Sequence, residues 1–381
     1  AHLHLALCLD DVEGQRKQAL ASVDRAIELD PEVPLFHAVR ASVLGGLRKG
    51  DAALEAAERA VGLDPNSALG HCTVARAQLV RQRWAEAEQA ARKALATDGD
   101  DSDAQGILAV ALRMQGKREE DEIAVGRLLA ENPDDKFTHL NAGWSALRRF
   151  DHRGAEGHFL ESLRLDPEFE PARDGLLESF RARSRFYRLY QRYCFWMARF
   201  TSRYQWVLLI GLIVGLRLGR DILAKIHPAL AGLLVGAYVT FVFWVWLARG
   251  IGSFLVFCDR SARHALRRSE KVEALAVGGA FTLGMVLLIG GAALGRLPMA
   301  LAGGTLAIGS LPAALTFTNE SKTGRLLFGS VFGFVYCSGF GAAITAALGS
   351  PLQTVFAGLS VSAVVAVALC TWLGNLQVLR R

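Results

Sequence analysis

The stretch 50–65, GDAALEAAERAVGLDP, returns 34 residues later as 84–99, WAEAEQAARKALATDG, and a helical repeat follows from that period. The same spacing extends in both directions. Pro31, Pro65, Gly99, Pro133 and Pro167 fall at intervals of 34; Asp30, Asp64, Asp98 and Asp166 precede four of them and Asn132 the fifth. Twelve residues before each lies Ala19, Ala53, Ala87, Asp121 or Ala155. Five before each lies Ala26, Ala60, Ala94, Leu128 or Ser162. Small residues recur again at Ala41, Ala75, Ala109 and Gly143. Small side chains let two antiparallel helices approach closely at fixed points. Proline cannot continue a helix and restricts the residue before it, so Asp-Pro ends the second helix of each pair. Each pair leaves one apolar face that the next pair covers, so stacking is obligatory.

A 34-residue register held five times resembles the tetratricopeptide repeat (TPR) family. The resemblance covers residues 1 to about 180, as five repeats and a partial sixth that begins at Glu170 and acts as a cap. It implies an α-solenoid whose groove, lined by the first helix of each pair, binds peptide segments or partner helices. Carried over by register, Leu35, Arg76, Leu79, Arg113, Phe137, Leu140, Trp144 and Leu147 lie near that groove. The last four share one helical face; packing against the neighbouring repeat is the alternative use of that stripe. Positions where some family members clamp a terminal carboxylate hold Cys72, Arg76, Leu140 and Trp144, which does not support that activity. Asp121 in place of a small residue predicts looser packing around the fourth repeat. The chain opens at Ala1 inside a repeat, so upstream sequence is expected.

The charge splits at the end of the array. Residues 1–180 hold 22 Lys+Arg against 32 Asp+Glu; the remainder hold 21 against 5. The excess positive charge flanks apolar segments, which is the pattern of membrane orientation rather than of a nucleic-acid-binding face. A basic-aromatic segment, 181–204, joins the halves. Arg181, Arg185, Arg188, Arg192, Trp196, Arg199 and Arg203 are predicted to meet an anionic membrane surface, with the rings at headgroup level. Six apolar segments follow, at about 205–219, 228–248, 274–294, 297–317, 326–348 and 352–376. A bilayer core of roughly 30 Å needs ~20 residues per span. Phe241, Phe243, Trp244 and Trp246 suit an interfacial aromatic belt. Basic residues at 181–203, 249–273, Lys322 with Arg325, and Arg380 with Arg381 predict that the repeats and the C-terminus lie on the cytoplasmic side. Glycines four apart, Gly211/Gly215, Gly232/Gly236, Gly291/Gly295 and Gly329/Gly333, are expected to form the helix-packing seams, and the fifth span extends its stripe through Cys337 to Gly341.

Catalytic, cofactor and metal signatures are absent. There is no H-E-x-x-H, phosphate loop or G-x-S-x-G. The six cysteines form no C-x-x-C pair and are expected to be buried free thiols. The histidines are taken as scattered surface residues; His2 with His4, and His139 with His152, are the nearest to a metal pair. Glu320 with Lys322 is the most unusual polar pair near the apolar segments. The whole is therefore all-α: a TPR solenoid over 1–180, the junction helix, and a polytopic transmembrane bundle of about six spans over 205–381. It loosely resembles bacterial repeat proteins with several membrane spans. The expected function is a non-enzymatic scaffold, without cofactor or metal, holding a cytoplasmic protein or peptide at the inner face of a bacterial cytoplasmic membrane. Two alternatives stand beside it. One is a transporter or channel using hydroxyls such as Ser310, Thr345 and Ser360. The other is a lipid-acting enzyme using Asp259, His264, Glu270 and Glu273.

Overall fold

The computed structural model describes residues 2–373 except Asp11, Glu13, Thr201 and Glu320; the side chains of 202–206, 209, 213, 368 and 371–373 also lie outside the description. The chain divides into two compact units. One is Ala1–Ser179 with Cys194–Leu208; the other is Phe180–Tyr193 with Leu209–Arg381.

In the first unit, helix starts follow the sequence period. The first helices of the pairs are α3 (Pro34–Gly46), α5 (Ala68–Val80), α7 (Ser102–Gln115), α9 (Lys136–Arg148) and the capping α11 (Glu170–Arg181). The partners of α3, α5, α7 and α9 are α4 (Gly50–Leu63), α6 (Trp84–Thr97), α8 (Arg118–Glu131) and α10 (His152–Leu165), and α2 (Arg16–Leu29) closes the pair before them. Helix α1 (His2–Asp10) pairs with α2. The periodic alanines are where helices touch: Ala19, Ala53, Ala87 and Ala155 are fully buried.

Three further features recur every 34 residues. The cap residues Asp30, Asp64, Asp98, Asn132 and Asp166 each donate their backbone N–H to the carbonyl four residues back. Asp98 does so in the same extended conformation although Gly99, not proline, follows it. The aspartate is thus a cause in its own right: Asp64, Asp98 and Asp166 accept the N–H two residues on, at 3.1, 3.3 and 3.1 Å. Next, His37, His71, Gln105 and His139 each hydrogen-bond the carbonyl six residues earlier, on Pro31, Pro65, Gly99 and Pro133, at 2.8–3.0 Å. These histidines are therefore loop anchors and not scattered surface groups. Finally, the turn inside each pair places Gly14, Arg48, Gln82, Gly116 and Phe150 at φ between 58° and 82°. In the last four of these turns the following N–H reaches back five residues, as in Lys49 to the Leu44 carbonyl at 3.0 Å.

The fourth repeat is not loosely packed. Ala109, Val125, Leu128 and Ala142 form a closed cluster. Asp121 is buried beside it, and its Oδ2 accepts from the Ser145 hydroxyl at 2.8 Å. Burial pushes the Asp121 carboxyl up, and Arg113 opposes this. Arg113, itself buried, donates to the Asn141 carbonyl and to Asn141 Oδ1 at 3.2 and 3.3 Å.

The second unit contains most of α12 (Arg185–Met197) and α13 (Ser202–Ile226), then α14 (Pro228–Cys258) and α15 (Arg268–Glu273). A π-turn at Ala274–Gly279 leads into α16 (Ala280–Ala293), followed by α17 (Leu297–Thr318), α18 (Lys322–Ala347) and α19 (Gln353–Leu373). Among the described residues, four helical rods are long and apolar enough to cross a membrane: Pro228–Cys258, Arg268–Ala293, Leu297–Thr318 and Lys322–Ala347, with mean hydropathy of 1.5 to 2.1. Six apolar segments were expected, and four of them meet this standard among the described residues. Helix α13 carries Arg217, Arg220, Asp221 and Lys225, and on α19 the apolar stretch Gln353–Val367 is shorter than the four rods. Glu320 and the pair Arg380 and Arg381 lie outside the described residues.

The packing seams are not the expected glycine pairs. A Cβ placed on Gly211, Gly215, Gly232, Gly236, Gly295 or Gly333 would meet nothing within 4 Å. The close approaches involve other glycines, with Gly291 and Gly341 as the exceptions. Gly284 and Gly303 face each other's backbone across α16 and α17, and Gly291 abuts the Ala300 backbone. Gly250 and Gly278 cross where α14 meets the π-turn: a Cβ on Gly278 would lie 2.5 Å from the Gly250 carbonyl oxygen. The Thr282 hydroxyl donates to the Gly278 or Gly279 carbonyl, at 2.9 and 3.0 Å, which supplies a partner where the π-turn disturbs the ladder. Leu247, Val277, Leu311, Phe328, Val335 and Val367 fill the core.

Candidate functional site

The 34-residue lattice sets equivalent side chains side by side on the first-helix face. On α5, α7 and α9 it leaves a cleft of about 350 Å³. Arg76 Nη2 donates to Asp103 Oδ2 at 2.7 Å from one helix to the next, and Arg76 Nη1 to the Ser42 hydroxyl at 3.4 Å. Phe137, 52% exposed, and Leu140 close the far wall. The Phe137 ring meets Phe169 edge-on at 5.0 Å, and Lys136 Nζ lies 4.9 Å over Phe169 while its ammonium holds Asp166 at 2.6 Å. Asp135 caps α9 by accepting the Thr138 N–H at 2.8 Å. The floor is Ile107, Val110 and Leu128, with Asn141 held by Arg113. An apolar pocket with an ion pair at one end and an aromatic edge at the other suits an apolar side chain carried on a polar backbone.

Of the register-derived residues, Arg76, Phe137 and Leu140 line this cleft. Leu35 is exposed on α3 outside it. The other four turn inward: Leu147 is fully buried, Arg113 is 8% exposed, Leu79 packs against the Cys72 cluster, and Trp144 meets Phe159 edge-on at 5.7 Å. Asp103 and Val110 escaped the sequence reading, although the register held them: Asp103 is the equivalent of Leu35 and Phe137, and Val110 of Arg76 and Trp144. Burial, then Asp101, pushes the Cys72 thiol up to about 12, so it is a packing group and not a nucleophile.

Helix α12 is two-sided. Tyr187 is buried, and Tyr190 and Tyr193 meet Trp244 and Phe241 at 6.0 and 5.6 Å. Phe241 and Trp244 are thus packing rings in this unit. Arg181 is 5% exposed and donates to the Ser253 hydroxyl at 3.2 Å, so it is not a surface group. Arg183 donates to Asp259 at 2.8 Å. The outer face carries Arg185, Leu189, Arg192, Trp196 and, just beyond the helix, Arg199, at steps of four and three. Arg188 is half-buried, and the Arg203 side chain lies outside the described residues.

No protein-family model matches the chain, and no curated protein matches it. Solved structures with a similar fold include a thermophilic TPR protein of Thermus thermophilus (17% identity, 47% of this chain and 96% of that chain, TM-score 0.44). Others are PilW, described as a type IV pilus biogenesis factor (23%, 47% and 81%, TM-score 0.41), and YrrB, described as a TPR protein with an unusual peptide-binding site (17%, 45% and 88%, TM-score 0.33). Each similarity is one of fold and covers less than half of this chain.

Proposed function

We propose that the chain is a membrane-anchored, non-enzymatic scaffold whose repeat cleft recruits a cytoplasmic protein or peptide to the inner face of a bacterial cytoplasmic membrane. The observation that carries this reading is the cleft itself, where exposed Phe137 and Leu140 stand opposite the Arg76–Asp103 pair. Tethering raises the effective concentration of a recruited protein for anything already at that membrane.

Parity supports the anchoring. Arg181 and Arg183 contact Ser253 and Asp259, so the start of α12 and the end of α14 share one side. Between those points the chain runs out through α13 and back through α14. If α14 crosses, α13 crosses with it, Arg217 reaching toward the interface. The 31 residues of α14 span about 46 Å at 1.5 Å per residue, more than a hydrocarbon core of roughly 30 Å. The excess length is accommodated by tilt or by turns that extend beyond the apolar layer.

No observation favours the alternatives. Ser310, Thr345 and Ser360 each donate to a carbonyl of their own helix. Asp259 is engaged by Arg183 and Ser261, and Glu270 accepts the Arg267 N–H at 2.6 Å as a helix cap. The test is proximity labelling from the repeat unit of the full chain, wild type against Phe137→Ala with Leu140→Ala. Loss of a labelled cytoplasmic protein is expected. An identical set of labelled proteins removes the cleft from consideration.

A further inference from the structure

A second charged site lies on the first unit, away from the cleft, at the turn between α7 and α8. Arg118 begins α8, Arg148 ends α9, and Arg199 follows α12. The Arg199 guanidinium is seated on Gly116, where an added Cβ would lie 2.6 Å from Nη2. The φ of +80° at Gly116 and this close approach both require glycine there. The Arg148 guanidinium lies 4.9 Å over the Phe195 ring and donates to the Arg113 carbonyl.

Four nearby carboxylates are engaged by other groups, while Glu119, beside Arg118, stands exposed. Glu88 holds Lys117 at 2.8 Å, Glu120 holds Arg92 at 2.7 Å, Asp121 accepts from Ser145, and Glu122 pairs with Arg149 at 3.6 Å. Among the described residues, no carboxylate bonds Arg118, Arg148 or Arg199. Arg148, half-buried, and Arg199 thus both sit against the C-terminal turn of α7, with Arg118 two residues beyond it, and buried Asp121 is the carboxylate whose charge reaches Arg148. Burial first, then the Arg113 and Arg199 charges, pull Arg148 down to about 10, with the Asp121 charge opposing them. Guanidinium forks match phosphate oxygens in pairs.

The source of the phosphate follows from the chain. Trp196 and Phe200 pair at 5.1 Å on either side of Arg199, and Ser202 begins α13, whose early turns are apolar. Tryptophan, phenylalanine and arginine at the start of an apolar helix mark headgroup depth. The geometry points to Arg118, Arg148 and Arg199 as a site for the phosphate of an anionic phospholipid. This rests on the reading of the chain as membrane-inserted.

The experiment uses the full chain in detergent micelles, with phosphatidylglycerol or phosphatidylcholine added and retained lipid counted by native mass spectrometry. Wild type should keep phosphatidylglycerol in preference to phosphatidylcholine. Arg118→Gln with Arg199→Gln should weaken that retention about thirtyfold, from the worth of two surface arginines near anionic lipid. Arg118→Lys with Arg199→Lys should restore most of it, and Arg153→Gln, an exposed arginine on α10, should change nothing. Both altered arginines are exposed, and unchanged hydrogen exchange across α7 to α9 verifies the fold. Equal retention of the two lipids, or no loss in the glutamine variant, overturns the site. Displacement of phosphatidylglycerol by equimolar inorganic phosphate also overturns it, in favour of a soluble anion. A chain that keeps no lipid of either kind instead defeats the membrane reading.

Discussion

The solenoid and the apolar bundle both depend on small residues, but in different ways. In the solenoid the residue is alanine, at a fixed period, and its methyl group is part of the packing: Ala53 and Ala87 are fully buried among their neighbours. In the bundle it is glycine, without a period, placed where two backbones touch, as at Gly284 and Gly303. In water, burying apolar surface drives helices together, and any repeated small side chain that fits will serve. Between apolar helices in lipid that drive is missing, so close backbone approach supplies the attraction and even one methyl is excluded. A repeated register therefore advertises itself in the sequence, whereas a single crossing point does not.

The largest expected effect tests that contrast directly. Gly303→Val drives a side chain into the Leu288 backbone, a cost of about 3 kcal/mol or more, while Gly333→Val enters open space. The first should abolish a monodisperse peak in detergent chromatography and the second should leave it intact. Similar behaviour of the two would erase the distinction between touching and open glycines.

Next comes Asp121→Ala, which restores the small residue of the repeat pattern. It should nonetheless destabilise the fourth repeat by about 3 kcal/mol, because buried Arg113 loses its opposing charge. Faster hydrogen exchange in α7 to α9 is the readout; slower exchange would mean that the alanine lattice alone rules there.

A smaller effect is titratable. Burial, then His139, holds the His158 imidazole below its usual value near 6.5. A depressed histidine contributes stability that is fully present above that usual value and is lost as pH falls through the lower folded value. The solenoid should lose stability on acidification from about pH 6.5, by no more than one proton's worth of slope. His158→Gln should flatten this part of a melting-temperature profile; an unchanged profile assigns the acid sensitivity elsewhere.

The smallest effect is at the left-handed turn position. Arg48→Gly should raise stability by up to about 1 kcal/mol, since glycine accepts that backbone freely. A drop in melting temperature would show that unfolded-chain entropy outweighs the relieved strain.

The sequence disclosed the solenoid because its caps, alanines and helix starts share one period. It disclosed the cleft only in part. Register identifies which residues face the first-helix side, but not how far each side chain turns, so it left groove and neighbour-packing both open for Trp144 and Leu147, which pack inward. The left-handed turn stayed hidden because Arg48, Gln82 and Phe150 do not look like turn residues. The histidine anchors stayed hidden because glutamine replaces one of the set. In the bundle, spacing by four was a poor guide: the observed seam on α16 pairs Gly284 with Gly291, two turns apart, and their contacts come from α17.

The anchors at His37, His71, Gln105 and His139 have a mechanical consequence. Each ties the linker between two consecutive pairs to the helix that follows it, so these four linkers are not slack hinges. A bending load on the solenoid is therefore shared among these four linkers rather than taken at one.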